Sequence, residues 1–175
     1  MTDTQGREPL DRAGIEALLA HGGVPAATGA ADDLPRYNGL VDPAGAERLA
    51  TELADRAREL SPSTVLVWEA PEDVVLGHVI GRELGLPVVR AYDADGLVGH
   101  GPGLDRGARL LLVADAIRDP SVVRAAHSLA EQLGGALLGT AVLVETDALA
   151  EAAGLAGTIV GLIVPDPAEP AAERR

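Results

Sequence analysis

The sequence predicts a doubly wound α/β domain with a mainly parallel sheet flanked by helices. The predicted strands are continuous apolar runs, which are typical of parallel strands buried on both faces. Segments with helical spacing alternate with these runs, as strand–helix–strand units require. In such a fold, ligands bind beyond the carboxyl ends of the strands.

Composition restricts the function further. The chain has 175 residues, of which 47% are hydrophobic, enough for one compact domain. It contains no Cys, which excludes disulfides, thiolate zinc sites and a Cys nucleophile. The net charge is −13, and its bases and four His are scattered, so we expect no nucleic-acid partner and no metal site. No apolar stretch has the length of a membrane helix, so we expect a soluble, cytoplasmic protein.

The first part of the chain contains two predicted helices. One runs from Asp11 to His21 and is followed by a connector rich in Gly, Ala and Pro. Asp42 and Pro43 begin the other, because an acid at the N-cap and Pro in the first turn are helix-start signals. We expect three regions: an N-terminal extension or hood with one short helix (1–36), the main α/β domain (37–164), and a disordered tail (165–175).

The remaining elements alternate regularly. The predicted strands are 65–68, 87–91, 109–114, 136–144 and 158–164, and the predicted helices are 73–84, 120–133 and 147–153. A glycine-rich surface loop is expected between Tyr92 and Gly107. Its GHGPG segment neither follows a strand directly nor opens a helix, so it does not indicate a dinucleotide-binding loop.

Two turns should lie at the ligand-binding edge of this sheet. The first reads WEAPEDV, and the second reads VADAIRDPSVV. Each leads into a helix N-terminus, where backbone N–H groups and the helix dipole favour an anion. The turns carry acids there, namely Glu72 and Asp73 in the first and Asp119 in the second. We expect these carboxylates to take the place of a bound anion at both helices.

The order of the elements and these two turns resemble the type I phosphoribosyltransferases, most closely the adenine and orotate enzymes. The resemblance covers about Tyr37 to Val164. In that family two adjacent acids hold the ribose of phosphoribosyl pyrophosphate, and a Thr/Gly-rich loop binds its 5′-phosphate. The acid pair falls on Ala114 and Asp115, so one acid remains. The loop falls on 118–122, which contains no Gly or Thr, and Pro120 removes an amide donor.

The resemblance implies three ligand-binding candidates in the second turn. Asp115 is the retained ligand contact, unless its carboxylate caps the amides of its own turn. Arg118 and Ser121 lie where the phosphate loop would be. Ser121 could instead occupy only the first turn of the following helix.

Three further candidates lie elsewhere. Glu69 and Ala70 match the first two residues of the family's Glu-Ala-Arg-Gly pyrophosphate turn, in which Pro71 replaces the Arg. Glu69 could instead cap the following helix. Tyr92, with Tyr37, could stack on a nucleobase.

These departures from the family pattern predict a catalytically degenerate phosphoribosyltransferase-like protein with no confident catalytic residue. We expect a regulatory or structural partner, either a homodimer or paired with a related protein, that senses a nucleotide or phosphoribosyl compound. The alternative is a divergent active transferase that joins a purine or orotate base to ribose 5-phosphate. In that case Asp115 would steady the ribose, and Mg²⁺ would accompany the phosphoribosyl pyrophosphate. A pure interaction module is a third reading.

Overall fold

The computed structural model describes residues 8–24, 34–68, 70–94 and 97–164. Its described elements, in chain order, are α1 (Arg12–His21), α2 (Pro43–Ala57), β1 (Thr64–Val67), α3 (Pro71–Leu84), β2 (Val88–Ala94), β3 (Leu97–His100), β4 (Arg109–Ala114), α4 (Pro120–Gln132), β5 (Ala136–Val144), α5 (Asp147–Glu151) and β6 (Thr158–Ile163). A single 3₁₀ turn, Arg58–Leu60, extends α2.

The sheet has the strand order β3-β2-β1-β4-β5-β6. Four neighbouring pairs are parallel, and β3 alone among the described strands pairs antiparallel, with β2. The predicted fold class is therefore confirmed. The order reverses between β1 and β4, and this is the position at which doubly wound sheets bind ligands.

Side chains from both faces of the sheet are buried, as the apolar runs predicted. On β1, Val65 and Val67 join a core with α1, α2 and α3, whereas Leu66 joins a second core with α4. Both cores consist of Leu, Val, Ile and Ala with few aromatic rings. Because α3 and α4 directly follow the parallel strands β1 and β4, both helices begin at the carboxyl edge of the sheet, where the two turns lie.

The region between β2 and β4 differs from the sequence-based expectation. A continuous loop was expected from Tyr92 to Gly107, but β2 extends to Ala94 and β3 returns beside it. The absence of a side chain at Gly99 makes room for the ring of Tyr92, because a Cβ there would lie 2.4 Å from the ring. The sequence carries a signal for this hairpin in the dipeptide Asp95-Gly96, which is typical of hairpin turns.

The N-terminal helix packs into the main core. Ile15 and Leu19 of α1 are almost completely buried against the same cluster as α2. The predicted boundary at residue 36 is not tested by this packing and stays a prediction. Residues 1–7 and the predicted tail at 165–175 lie outside the described residues. No helix in the described ranges is long and apolar enough to cross a membrane.

Candidate functional site

The two turns are neighbours in space because β1 and β4 are adjacent parallel strands. A hydrogen bond joins the turns directly: the backbone N–H of Asp115 donates to Oδ1 of Asp73, at 2.9 Å. Asp73 belongs to the first turn of α3, and Asp115 directly follows β4. The strand-end turns therefore form one continuous site, as the parallel topology requires.

Asp115 is the centre of this site, and both of its carboxylate oxygens have protein donors. Oδ1 accepts from the backbone N–H of Ala116 at 2.7 Å and from Nη1 of Arg118 at 2.7 Å. Oδ2 accepts from the backbone N–H of Tyr37 at 2.9 Å and from Nη2 of Arg118 at 2.9 Å. Asp115 is only 2% exposed. The carboxylate thus forms a buried, bidentate ion pair with Arg118, the strongest geometry for such a pair.

Arg118 uses all of its donors within the chain. Besides its two bonds to Asp115, its Nη1 donates to the carbonyl of Ala116 at 3.2 Å. Its Nε donates to the carbonyl of Leu34 at 3.2 Å, and its Nη2 donates to the carbonyl of Pro35 at 3.0 Å. A guanidinium carries five N–H donors, and five acceptors surround this one. Burial acts to lower the pKa of Arg118, but the hydrogen bonds and charge of the Asp115 carboxylate, with the nearby Asp73 and Glu72, raise that pKa overall.

These bonds hold an N-terminal segment, residues 34–37, across the end of β4. Arg118 binds the carbonyls of this segment, and Asp115 binds the amide of Tyr37. The ring of Tyr37 is buried against Gly22, where a Cβ would lie 2.1 Å from the ring, and it also lies close to Gly39. Burial, together with the nearby Asp42 carboxylate, raises the pKa of Tyr37 to about 12.

The backbone of the second turn is also fixed from the β5 side. The carbonyl of Asp115 accepts hydrogen bonds from the amides of Leu143 and Val144, at 3.0 and 3.1 Å. The hydroxyl of Thr146, the N-cap of α5, donates to the carbonyl of Ile117. Contacts from α3, β5, α5 and segment 34–37 therefore hold the turn in one conformation.

The α4 N-terminus carries the chain's own anion, as expected. Asp119 is the N-cap of α4, and its carboxylate accepts from the backbone N–H of Ser121 at 2.8 Å. Hydrogen bonds from Ser121 hold the pKa of Asp119 below its usual range. Ser121 lies in the first turn of α4, where its side chain is exposed and its amide donates to the N-cap carboxylate.

At the N-terminus of α3, the structure corrects the expectation that an acid takes the place of a bound anion. Its N-cap, Ala70, makes no side-chain cap, and the Asp73 carboxylate binds the amide of Asp115 instead of the amides of its own helix. Burial raises the pKa of Asp73 to about 7. Oε2 of Glu72 is buried and has no hydrogen-bond partner in the described ranges. Asp73 therefore does not replace a bound anion at this helix, because its carboxylate binds the amide of the second turn.

The remaining candidates are placed as follows. Glu69 lies outside the described residues. Ala70 precedes α3 at the end of the first turn. Tyr92 lies in β2 and packs across the hairpin against Gly99, whereas Tyr37 is buried in the main core. The possible stacking of a base between these two rings stays a prediction.

The described side chains of the site do not form a metal centre. Among the described residues, no group of three or more His, Asp or Glu side chains is placed to hold a metal ion. Both oxygens of Asp115 already have donors. The site therefore does not fit a Mg²⁺ ion held by the protein alone.

Sequence reasoning missed two components of this site. Asp73 was interpreted as a helix-start acid, and residues 34–36 as part of the N-terminal extension or hood. The occurrence of Asp115 and Arg118 with opposite charges in one short turn is a signal that could have indicated their pairing. The contacts of Arg118 to Leu34 and Pro35 have no such signal, because they join residues more than eighty positions apart.

Comparisons with known proteins find sequence relatives among the orotate and adenine phosphoribosyltransferases. An orotate phosphoribosyltransferase of Sphingopyxis alaskensis is 34% identical over 113 residues, which cover 62% of this chain and 58% of that protein. An adenine phosphoribosyltransferase of Xanthomonas campestris is 41% identical over 73 residues, 42% of this chain and 39% of that protein. The matched region thus spans less than two thirds of either relative. No family model matches the chain.

Solved structures show the same fold. The adenine phosphoribosyltransferase of Rhodothermus marinus superposes with a TM-score of 0.69 at 16% identity, covering 88% of this chain and 99% of that one. The orotate phosphoribosyltransferase of Mycobacterium tuberculosis, in complex with inorganic phosphate, gives a TM-score of 0.63 at 19% identity, with 90% of each chain covered.

Proposed function

Taking the chain as a type I phosphoribosyltransferase-like protein, as its sequence relatives and its fold indicate, we propose that it has no transferase activity and acts as a regulatory or structural partner. The observation that carries the proposal is the closed pair of Asp115 and Arg118. The strand-end acid that would hold a ribose has four internal N–H donors, and the adjacent arginine has five internal acceptors.

The energetic argument compares this pair with a ligand. Removing one partner of a buried ion pair costs about 3–5 kcal/mol, because the other charge stays buried and alone. A ligand that displaced Arg118 from Asp115 would lose binding free energy of this order. A loss of about 4 kcal/mol weakens binding roughly a thousandfold. Phosphate would also meet Asp119, which already caps the helix amides. The turn is therefore poorly suited to phosphoribosyl pyrophosphate.

Thermal unfolding with ligands tests the proposal. The additions are phosphoribosyl pyrophosphate with Mg²⁺, then AMP, GMP and orotidylate. We expect an unchanged melting temperature. A ligand at 100 times its Kd would stabilise the chain by about 2.7 kcal/mol, equivalent to roughly 5–10 °C for a chain of this size. Such a shift, reduced in Asp115→Asn, would contradict the proposal. Ser128→Ala, which alters an exposed side chain farther along α4, serves as the variant that is expected to fold normally.

A gain-of-binding variant tests the same idea from the other side. Ala114→Asp combined with Asp119→Thr and Pro120→Gly restores the second acid and a Thr-Gly loop. We expect this triple variant to bind phosphoribosyl pyrophosphate more tightly than the natural chain. Unchanged affinity in a folded variant would show that the correspondence of this turn with the family loop is wrong.

The second candidate is a divergent active transferase, which the named activity of the sequence relatives favours. The assay is release of pyrophosphate from phosphoribosyl pyrophosphate and Mg²⁺ with adenine or with orotate. Turnover that is lost in Asp115→Asn would establish this candidate.

A cytoplasmic location and a homodimer, or a pairing with a related protein, complete the proposal. The molar mass of the purified chain by light scattering tests the dimer.

A further inference from the structure

One surface of the molecule exposes large apolar side chains beside a cavity. Leu40 is 80% exposed, Val41 is 59% exposed, and Val74 of α3 is 38% exposed. Leu40 also lines a cavity of about 360 Å³, together with Pro71 and Val75 of α3. We call these five residues and the cavity the α3 face. On this face a leucine that is open to solvent lies at the rim of a cavity whose walls are mostly apolar.

Hydrogen bonds hold the turn that carries Leu40. The amide of Leu40 donates to Oδ1 of Asn38 at 3.1 Å, and the amide of Val41 donates to the carbonyl of Asn38 at 3.2 Å. The amide of Asn38 in turn donates to the carbonyl of Gly22, which follows α1, at 2.9 Å. The exposed leucine is therefore presented on a preorganised turn, and burying it against a partner requires little ordering of the backbone.

The exposed side of α3 differs in composition from that of α4. In the first two turns of α3 the exposed residues are Pro71, Val74 and His78. The exposed residues of α4 are all polar, namely Ser121, Arg124, Ser128, Glu131 and Gln132. A surface helix of a globular protein normally has polar residues on its outer side, and a helix with apolar residues on both sides is covered on both. The outer side of α3 therefore has the composition of a covered surface.

Charge restricts where two copies of the chain can meet. Each copy has a net charge of −13, so surfaces that carry an excess of acids repel each other. The charged residues that line the cavity are one base and one acid, Arg36 and Glu72, and the exposed apolar side chains of the α3 face add no charge. Asp42, the next acid along the chain, is half-buried and caps α2. Two α3 faces can therefore approach without net repulsion.

We propose that two copies of the chain pair through the α3 face about a two-fold axis, with Leu40 of each copy in the cavity of the other. A two-fold interface is self-complementary, because one surface meets the same surface of the second copy. The α3 face meets this condition, since the exposed side chain and the cavity that accepts it lie next to each other. A cavity of about 360 Å³ is comparable to small-molecule sites and accommodates a leucine side chain. The inference rests on the homodimer proposed above and names its surface, but it does not depend on the absence of transferase activity.

Light scattering on the full chain tests the interface with two matched substitutions. We expect the natural chain to have twice the 17.9 kDa mass of one copy. Leu40→Ala should weaken the dimer at least about thirtyfold, equivalent to about 2 kcal/mol, as expected at an anchor position of an interface. Leu97→Ala removes a similarly exposed leucine, 74% exposed in the edge strand β3, and should leave the dimer unchanged.

A filled cavity tests the other half of the contact. Val75→Phe places a ring in the cavity and should weaken self-association as Leu40→Ala does. A mixture of the two variants should be more dimeric than either alone. The reason is that the heterodimer keeps one contact, Leu40 of the Val75→Phe copy in the unfilled cavity of the Leu40→Ala copy.

Three results would overturn the proposal. A natural chain that is monomeric up to about 100 μM would leave the α3 face to a different protein or a small apolar molecule. A dimer that Leu40→Ala weakens no more than Leu97→Ala would place the interface elsewhere. A mixture of folded variants that is no more dimeric than its components would contradict the contact between Leu40 and the cavity. If Val75→Phe does not fold, the comparison of the two leucine variants still decides. The ligand and turnover tests of the Asp115 turn decide the transferase activity separately from all of these results.

Discussion

Asp73 is a buried carboxyl group whose environment makes the stability of the chain depend on pH near neutrality. It is 5% exposed, and burial raises its pKa to about 7, with the Asp115 and Glu72 carboxylates acting in the same direction and Arg36 against them. The unfolded chain has an ordinary Asp pKa, so between about pH 4 and pH 7 the folded state binds the extra proton. Stability from this group is therefore full at acid pH and lost as the pH rises through 7.

The first prediction concerns Asp73→Asn, which keeps the acceptor for the amide of Asp115 and removes the charge. We expect the variant to gain stability relative to the natural chain as the pH rises from 5 to about 7, by at most about 1.4 kcal/mol per pH unit, and the difference to level off above pH 7. Urea unfolding at pH 5, 6, 7 and 8 measures the difference. If the free energy of unfolding varied with pH in the same way for the two proteins, Asp73 would be ionised throughout this range.

The second prediction concerns the ion pair. Arg118→Met leaves the Asp115 carboxylate buried without its bidentate partner, and we expect a loss of about 3–5 kcal/mol in the free energy of unfolding. Asp115→Asn added to Arg118→Met should recover part of that loss, because the stranded charge is removed. Denaturant unfolding of both single variants and the double variant gives the coupling energy. Additive losses would mean that the two side chains do not depend on each other.

Sequence analysis identified Asp115 from its place at the end of an apolar strand, but it could not identify what surrounds the carboxylate. The position of an acid at a strand end follows from local pattern. Its partner atoms on Tyr37 lie 78 positions away and are fixed by the packing of α1 and the following segment. Tertiary packing of this kind leaves no local mark in the sequence.

At the scale of the helix, Asp119 caps α4 with its side chain. The third prediction is that Asp119→Ala lowers the free energy of unfolding by about 1 kcal/mol, because the amide of Ser121 loses its acceptor. Asp119→Ser should keep most of the stability, since Ser is also a good N-cap. Thermal or urea unfolding of the two variants tests the cap, and equal losses would show that it contributes nothing.

Two adjacent glycines join α4 to β5 for different reasons, and they give the fourth prediction. Gly134 has a φ of +70° and open space around it, so Gly134→Ala costs only backbone strain of roughly 1–2 kcal/mol. A Cβ on Gly135 would lie 2.0 Å from the carbonyl oxygen of Ala108. We expect Gly135→Ala to destabilise the chain more than Gly134→Ala, because backbone cannot move aside as a side chain can. Unfolding free energies of the pair decide the order.

The elements themselves were predicted better than their connections. Strands β4 and β5 were located by uninterrupted apolar runs, and α2 by the Asp42-Pro43 start signal that the structure confirms. The short strand β3 was missed because Leu97–His100 contains one Gly and one His and is exposed at the sheet edge. Such a strand is held by its neighbour more than by its own apolar pattern.

At the scale of the whole molecule, charge is the dominant feature outside the core. The chain carries 27 acids and 14 bases, so like charges repel in the compact state. The fifth prediction is that added salt stabilises the chain. Raising NaCl from about 0.01 to 0.1 M shortens the Debye length from roughly 30 to 10 Å. Urea unfolding, which adds no ions, measures the change, and a fall in stability would show that attractive surface pairs outweigh the repulsion.

The mutual saturation of Asp115 and Arg118 also restricts how the protein can evolve. A change at either position alone leaves a buried charge without its partner, and the loss is comparable to the entire stability margin of many domains. A double substitution that changes both positions at once avoids this loss of stability, but such simultaneous changes are rare. The effect of a substitution at either position therefore depends on the residue at the other. A descendant of this chain that acquires a ligand at this turn must change both positions together, or must first gain enough free energy of unfolding to tolerate a single change.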